Sequence, residues 1–233
     1  MHAFRFKERV RQLLDVELPF VASSSFIMMN RESLGPTTLR GPSSTRLAIL
    51  PDEFFERDAP TVAAALIGTC LLVEGIGGII VETEAYDPAD PASHSYRGLT
   101  ARNAPMFGPP GRAYVYRIYG LHWCLNFVCS DGTPGSAVLV RAIEPTVGIE
   151  EMMVRRQIRN PRQLCSGPGK LAQALAIDAT LNGAPLNASP FALLPGVAGV
   201  GVKAGPRIGI RHGSETPWRF AMADSVFLSR PIA

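Results

Sequence analysis

The sequence predicts an α+β fold, a single domain over residues 46–233 with a mainly antiparallel β-sheet, flanking helices and a protruding β-hairpin. Three observations carry this. Runs rich in β-branched and aromatic residues follow one another between Gly78 and Ile143. Two of those runs are joined only by Tyr119-Gly120-Leu121, too short for anything but a hairpin. Helical patterns precede and follow the set.

Residues 1–45 differ from the rest: a short helix is expected over Phe6 to Val16, then Ser, Thr, Gly and Pro clusters, and the segment reads as a poorly ordered extension. From Pro51 the pattern becomes regular. Asp58-Ala59-Pro60 starts a helix, Val62 to Ile67 continues it and Gly68 stops it. Strands are expected at Gly78 to Tyr86, Arg112 to Tyr119, His122 to Cys129 and Ser136 to Ile143. The last three form an antiparallel meander, with a turn at Asp131 to Gly135. Helices follow around Val147 to Ile158 and Pro168 to Ile177. The Gly- and Pro-rich stretch from Ala184 to Gly201 reads as a long connection, and a final strand pair is expected near Arg207 to Ile210 and Trp218 to Phe227.

Composition narrows the function. With 46% apolar residues the chain can bury a substantial core, and a net charge of +3 is too small to argue for a polyanionic partner by itself. No apolar run reaches the roughly 18 residues of a membrane span, and the stretch from Leu18 to Met29 is broken by Pro19 and three serines, unlike a secretory signal. The Arg- and Ser-containing start leaves an organellar address open, although a cytoplasmic protein is expected, nucleoid-associated if bacterial. Cys70, Cys124, Cys129 and Cys165 form no CxxC pair and have no histidine at zinc-site spacing, so they read as reduced core residues, with neither metal nor cofactor expected.

Strand alternation puts Glu82, Glu84 and Tyr86 on one face of the first strand and Ile79, Val81, Thr83 and Ala85 on the other. The plain reading of that polar face is a solvated sheet surface. Arg141 argues otherwise. It lies in the apolar run Val138 to Ile143, on the face of Ala137, Leu139 and Ile143, where a charge needs a partner such as a glutamate on a neighbouring strand. Such a pair would hold the glutamate ionised and oriented, though a purely structural ion pair fits as well. Around the tight turn, Tyr114, Tyr116, Tyr119, His122 and Trp123 crowd together; an exposed ring at the tip suits a wedge in a nucleic-acid stack, or a packing cluster or oligomer contact. Asn126, an amide in an apolar strand, either bonds to backbone or reads the polar edge of a ligand.

Taken together, Val81-Glu-Thr-Glu-Ala-Tyr86, His94-Ser95, Thr100-Ala-Arg-Asn103, Met106-Phe107, Tyr114 to Gly120, Cys124-Leu-Asn126, Leu139 to Pro145 and Leu164 to Leu171 resemble, in order, the alkyladenine (3-methyladenine) DNA glycosylase family. The similarity runs from about Leu50 to the C-terminus and is densest over residues 78–177. It implies a curved sheet and an enzyme of base excision repair. Such an enzyme flips alkylated or deaminated purines (3-methyladenine, 7-methylguanine, hypoxanthine, ethenoadenine) from double-stranded DNA and hydrolyses the N-glycosidic bond, leaving an abasic site. The resemblance assigns Glu84 as the base that activates water and Arg141 as its orienting partner. It places Tyr86, His94 and Tyr116 around the flipped base, Asn126 against the 2-amino group of guanine, Tyr119 as the wedge and Arg102 as a phosphate contact. The chain departs in having one residue fewer between Tyr86 and His94, and in carrying His122 where an aromatic is more usual.

The chemistry agrees with these roles. A departing purine leaves positive charge on the sugar, and one carboxylate can both stabilise that charge and take a proton from water. A lyase would need an amine in the pocket, yet no lysine occurs between residues 8 and 169. Lys170, in Ser166-Gly-Pro-Gly-Lys170, sits at a helix start that either meets a phosphate or is an ordinary capped helix. Hydrolysis without strand cleavage is therefore expected, by a monomer. A non-catalytic nucleic-acid binder would have no use for Glu84, a nucleoside hydrolase none for Tyr119, and a structural protein none for Arg141 or Asn126.

Overall fold

In the computed structural model, residues 49–196 and 199–232 are described; the extension expected over residues 1–45, with its helix at Phe6 to Val16, lies outside them. Among these residues, eight strands form one antiparallel sheet. They are β1 (Cys70–Val73), β2 (Ile76–Tyr86), β3 (Ala113–Ile118), β4 (His122–Cys129), β5 (Ser136–Val147), β6 (Phe191–Leu194), β7 (Val202–Gly205) and β8 (Arg219–Met222). The order across the sheet is β3-β4-β5-β2-β1-β6, with β7 paired to β8 and β8 paired to β2. Strand β2 is central: β5 runs along one edge, while β1 covers the first half of the other edge and β8 the second. Its residues from Ile76 to Ala85 are all buried.

Close approach is built into the start of β2. A Cβ on Gly77 would stand 1.9 Å from the Leu71 carbonyl oxygen, and one on Gly78 1.9 Å from that of Glu144, so both neighbouring strands close in because these positions are bare. Farther along, Ile80 pairs with Ile143, Glu82 with Ala142 and Thr83 with Val140. Val81 on β2 and Arg141 on β5 are therefore each an extra residue without an opposite number, two β-bulges that cancel each other in register. They break the simple alternation read from the sequence. Ile80, rather than Ile79 or Val81, joins Ala85 in the principal core, and Ile143 joins it with Val138 and Val140 instead of sharing the face of Arg141. Such bulges bend strands and raise their local twist, which curves the sheet here.

Helices α1 (Ala59–Ala65), α2 (Ile149–Arg156), α3 (Pro161–Leu164) and α4 (Pro168–Ala174) flank the sheet. The Asp58 side chain accepts the Thr61 N–H as a helix N-cap, as the Asp-Ala-Pro signal predicts, and Gly68 takes a φ of 91° just past the helix end. Phe55, Val62, Leu66, Met152, Leu164, Leu171 and Leu175 bury against Val115, Leu125, Phe127, Val138 and Val140. All four cysteines are buried free thiols, and burial pushes Cys70, Cys129 and Cys165 up to about 12.

Two further sequence expectations fail. The connection from Ala184 to Gly201 contains β6, an edge strand of four residues too short to show a period. The last strand pair is Val202–Gly205 with Arg219–Met222, and Arg207 to Ile210 is loop. Those four residues are drawn out of the ladder by side-chain and cavity contacts described below. No helix among the described residues is long and apolar enough to cross a membrane.

Candidate active site

Directly opposed residues in an antiparallel sheet point to the same face. Tyr114 pairs with Asn126, Asn126 with Leu139, Leu139 with Glu84 and Glu84 with Arg219, so one row crosses five strands. Tyr116 opposite Cys124 and Tyr86 opposite Ala137 stand two residues along on the same face. The intervening Val115, Leu125, Phe127, Val138 and Val140 turn into the core. A period of two thus separates a core face from a site face.

That site face floors a cavity of about 220 Å³ whose lining includes Tyr86, His94, Tyr114, Tyr116, Asn126 and Arg141, and also Ile208, Gly209, Ile210 and Pro168. Its walls are rings. Tyr114 and Tyr116 stack with centroids 5.4 Å apart, and the His94 ring stands edge-on to Tyr116 at 4.5 Å. His94 Nδ1 and the Tyr114 hydroxyl are hydrogen-bonded at 2.9 Å. Burial of the ring edge among these tyrosines, with Arg102 adding a second cation, holds the His94 pKa below its ordinary value although the ring stays open at the rim. Burial raises Tyr114 to about 12 and drives Tyr86 and Tyr116 higher still, so the phenols stay protonated donors.

Glu84 lies beneath the lining, with no exposed surface. Its Oε2 accepts the Tyr86 hydroxyl at 2.8 Å and faces Arg141 Nη1 at 3.2 Å, while Oε1 accepts the Ile208 N–H at 2.7 Å. Every partner is a donor, and each belongs to a residue that lines the cavity. Arg141 also donates from Nε to Glu82 Oε1 at 3.2 Å. Burial opposes the charge on Arg141, but Glu84 and Glu82 together outweigh it and lift its pKa above the ordinary value. Asn126 is buried and donates its amide N–H to the Tyr114 carbonyl at 3.1 Å, satisfying one hydrogen-bonding group while the side chain faces the cavity.

The remaining predicted residues lie outside the lining. Tyr119 is 82% exposed at the tip of the β3–β4 hairpin, in a turn closed by Leu121 N–H to the Ile118 carbonyl at 3.0 Å, with Leu121 also exposed. Its φ is 52° and that of Gly120 68°, the primed turn that matches strand twist. Arg102 donates to the Arg117 carbonyl at 3.2 Å and lies 5.4 Å over the Tyr116 ring, which ties its loop to the hairpin stem. Lys170 is exposed beside Ser166, one residue after Gly169, which packs on His122.

Sequence reasoning missed the loop that closes the site. Arg207 is buried, bonded to the carbonyls of Ala85 and Gly213 and to Asp90, and its guanidinium lies 4.9 Å over the Tyr86 ring. It fixes both the ring and the start of the segment that brings Ile208 to Glu84. The isolated Arg in Gly205-Pro-Arg207-Ile-Gly-Ile210 was the available signal, since an arginine between apolar and Gly residues asks for a buried partner. Among the described residues no three or more His, Cys, Asp or Glu side chains gather as a metal site requires.

The family model described as Methylpurine-DNA glycosylase (MPG) matches residues 53–226. A protein of Rhodopseudomonas palustris (strain HaA2) is 57% identical over 179 residues, 77% of this chain and 89% of that one. One of Nitrosospira multiformis is 54% identical over 182 residues, covering 78% and 94%. A third, of Rhizobium meliloti (strain 1021), is 57% identical over 178 residues, covering 76% and 95%. All three carry the name "Putative 3-methyladenine DNA glycosylase".

Proposed function

The chain belongs to the methylpurine-DNA glycosylase family, enzymes that hydrolyse the N-glycosyl bond in DNA repair, and from that premise we propose that it flips a damaged purine into the aromatic cavity and hydrolyses it there with Glu84 as the base. The observation that carries this is the Glu84 carboxylate, gripped by Arg141, the Tyr86 hydroxyl and the Ile208 amide just below a cavity the size of one ring system. A carboxylate offers about four acceptor positions. Tyr86, Arg141 and Ile208 take three, and the fourth is left for the attacking water, which enters with the nucleotide while Ile208 keeps its bond to the carboxylate.

The base stacks between Tyr86 on one side and Tyr116 with His94 on the other, an arrangement that favours cationic alkylated purines. Tyr119 enters the duplex where the nucleotide left it. Arg102 and Lys170 meet phosphates beside the hairpin, and Asn126 excludes the 2-amino group of normal guanine. In the reaction the bond from the sugar C1′ to the purine nitrogen breaks with its electron pair leaving on the base. Water oxygen bonds to C1′, and the water proton passes to Glu84. Arg141 holds the carboxylate toward that water. Damaged bases unstack more readily, so 3-methyladenine, 7-methylguanine, hypoxanthine and ethenoadenine are the expected substrates. Neutral hypoxanthine and ethenoadenine need protonation to leave, and so should be released faster at acidic pH.

The test uses duplexes carrying each lesion, with wild type beside Glu84→Gln. Wild type should release free base, and Glu84→Gln should bind the same duplex without releasing it. Release by neither protein, or equally by both, overturns the assignment, and a borohydride-trapped adduct would overturn the hydrolytic course.

A further inference from the structure

The C-terminal segment reaches the same buried charges from the far side. Glu82, fully buried, stands two residues before Glu84 and shares Arg141 with it. Glu82 Oε2 accepts the Ser229 N–H at 2.6 Å, and Oε1 accepts the Ser229 hydroxyl at 2.8 Å and Arg219 Nε at 2.7 Å. The Ser229 oxygen in turn accepts Arg141 Nη2 at 3.3 Å. One hydroxyl therefore donates to the carboxylate and accepts from the guanidinium, bridging the pair. Arg219 completes the junction by donating to the carbonyls of Arg230 and Pro231. Ser229 lies just beyond the span matched to the family, residues 53–226.

We propose that Glu82 and Ser229 are positioning residues that lock the Arg141 guanidinium in the plane and direction Glu84 needs, so that residues 228–231 are a working part of the active site. Arg141 is a bulge residue and gets no alignment from the strand ladder opposite it. Its Nε and Nη2 are held by Glu82 and Ser229, which leaves Nη1 as the one nitrogen aimed at Glu84. Loosening either grip lets the guanidinium turn and Glu84 with it, while the cavity rings and the hairpin that bind DNA stay in place. This rests on Glu84 being the base.

The experiment measures single-turnover release of 3-methyladenine and 7-methylguanine from methylated duplex DNA, together with duplex Kd and Tm, for the full chain. Ser229→Ala keeps the backbone bond but removes the bridge, and should slow release about tenfold, the worth of one charged hydrogen bond, with Kd at the wild-type value and Tm lowered by a few degrees. Ser229→Thr keeps a hydroxyl and should restore the rate. Glu82→Gln should lose about 100-fold, the cost of displacing a catalytic group by about 1 Å. A wild-type rate for Ser229→Ala, a Thr variant as slow as the Ala variant, or a rate loss matched by equal loss of Kd overturns the proposal. Glu84→Gln in the same assay separates the failures. If it stays fast, the base assignment and this proposal fall together; if it is silent while Ser229→Ala is fast, only the positioning role falls.

Discussion

Replacing Tyr119 with glycine should strengthen the fold and weaken the enzyme. Tyr119 has φ 52°, in the left-handed region where a side chain costs about 1–2 kcal/mol. Glycine relieves that strain, while its freer unfolded chain takes back about 0.5–1 kcal/mol. Because the ring is 82% exposed, almost no packing is lost with it. The net gain is at most about 1.5 kcal/mol, or up to about 6 °C in Tm for a domain of this size. On the reaction proposed above, the ring that would fill the gap left by the flipped base is gone. Aromatic–base stacking is worth about 1–3 kcal/mol, so base release from duplex DNA should fall roughly 5- to 150-fold. Release from a single-stranded substrate, which leaves no gap to fill, should fall much less. Thermal unfolding and single-turnover excision on both substrates measure the two sides. A variant less stable than wild type refutes the strain argument, and wild-type excision from duplex refutes the wedge.

Arg207→Met should cost about 3–5 kcal/mol in urea unfolding, because it strands the buried Asp90 carboxylate and frees the loop that carries Ile208; a loss under 1 kcal/mol would remove Arg207 from the site's support. The low pKa of His94, caused by burial and then by Arg102, gives a pH signature. The unfolded chain protonates this histidine near the ordinary value of about 6.5, before the folded one does, so its contribution to stability is present above that pH and is lost as pH falls through the window below it. His94→Asn should therefore flatten the stability profile between about pH 7 and pH 5, by a modest amount since the ring is partly solvated. Identical profiles for the two proteins would refute it.

Much of this was legible in the residues because the relevant forces are local. The Asp58 cap, the hairpin at Tyr119-Gly120 and the meander follow from short-range turn and strand chemistry, and the company of Glu84, Tyr86 and Arg141 on one sheet follows from alternation. The rest depended on partners distant in sequence. Arg207 and Ile208 look like strand residues until Asp90, Ala85 and Glu84 claim their polar groups, 117 or more residues away. Nothing near Glu82 in sequence announces Ser229, 147 residues on. The four-residue β6 has no periodicity of its own and exists because β1 offers it an edge.

The twin bulges at Val81 and Arg141 make the site depend on residue count as much as on residue type. Val81 can exchange for another apolar side chain with little effect on the neighbouring carboxylates. Deleting it cannot be so tolerated: a one-residue slip sends alternate side chains to opposite faces, so one end of β2 would have to present its core residues to the cavity and its glutamates to the core. Removing Arg141 as well would restore a regular ladder, and would take away the cation that both glutamates hold. On the mechanism proposed above, a strand pair ideal by the rules of sheet geometry would thus be an inactive one. Comparisons among relatives should therefore find insertions and deletions excluded from these two positions even where their neighbours vary.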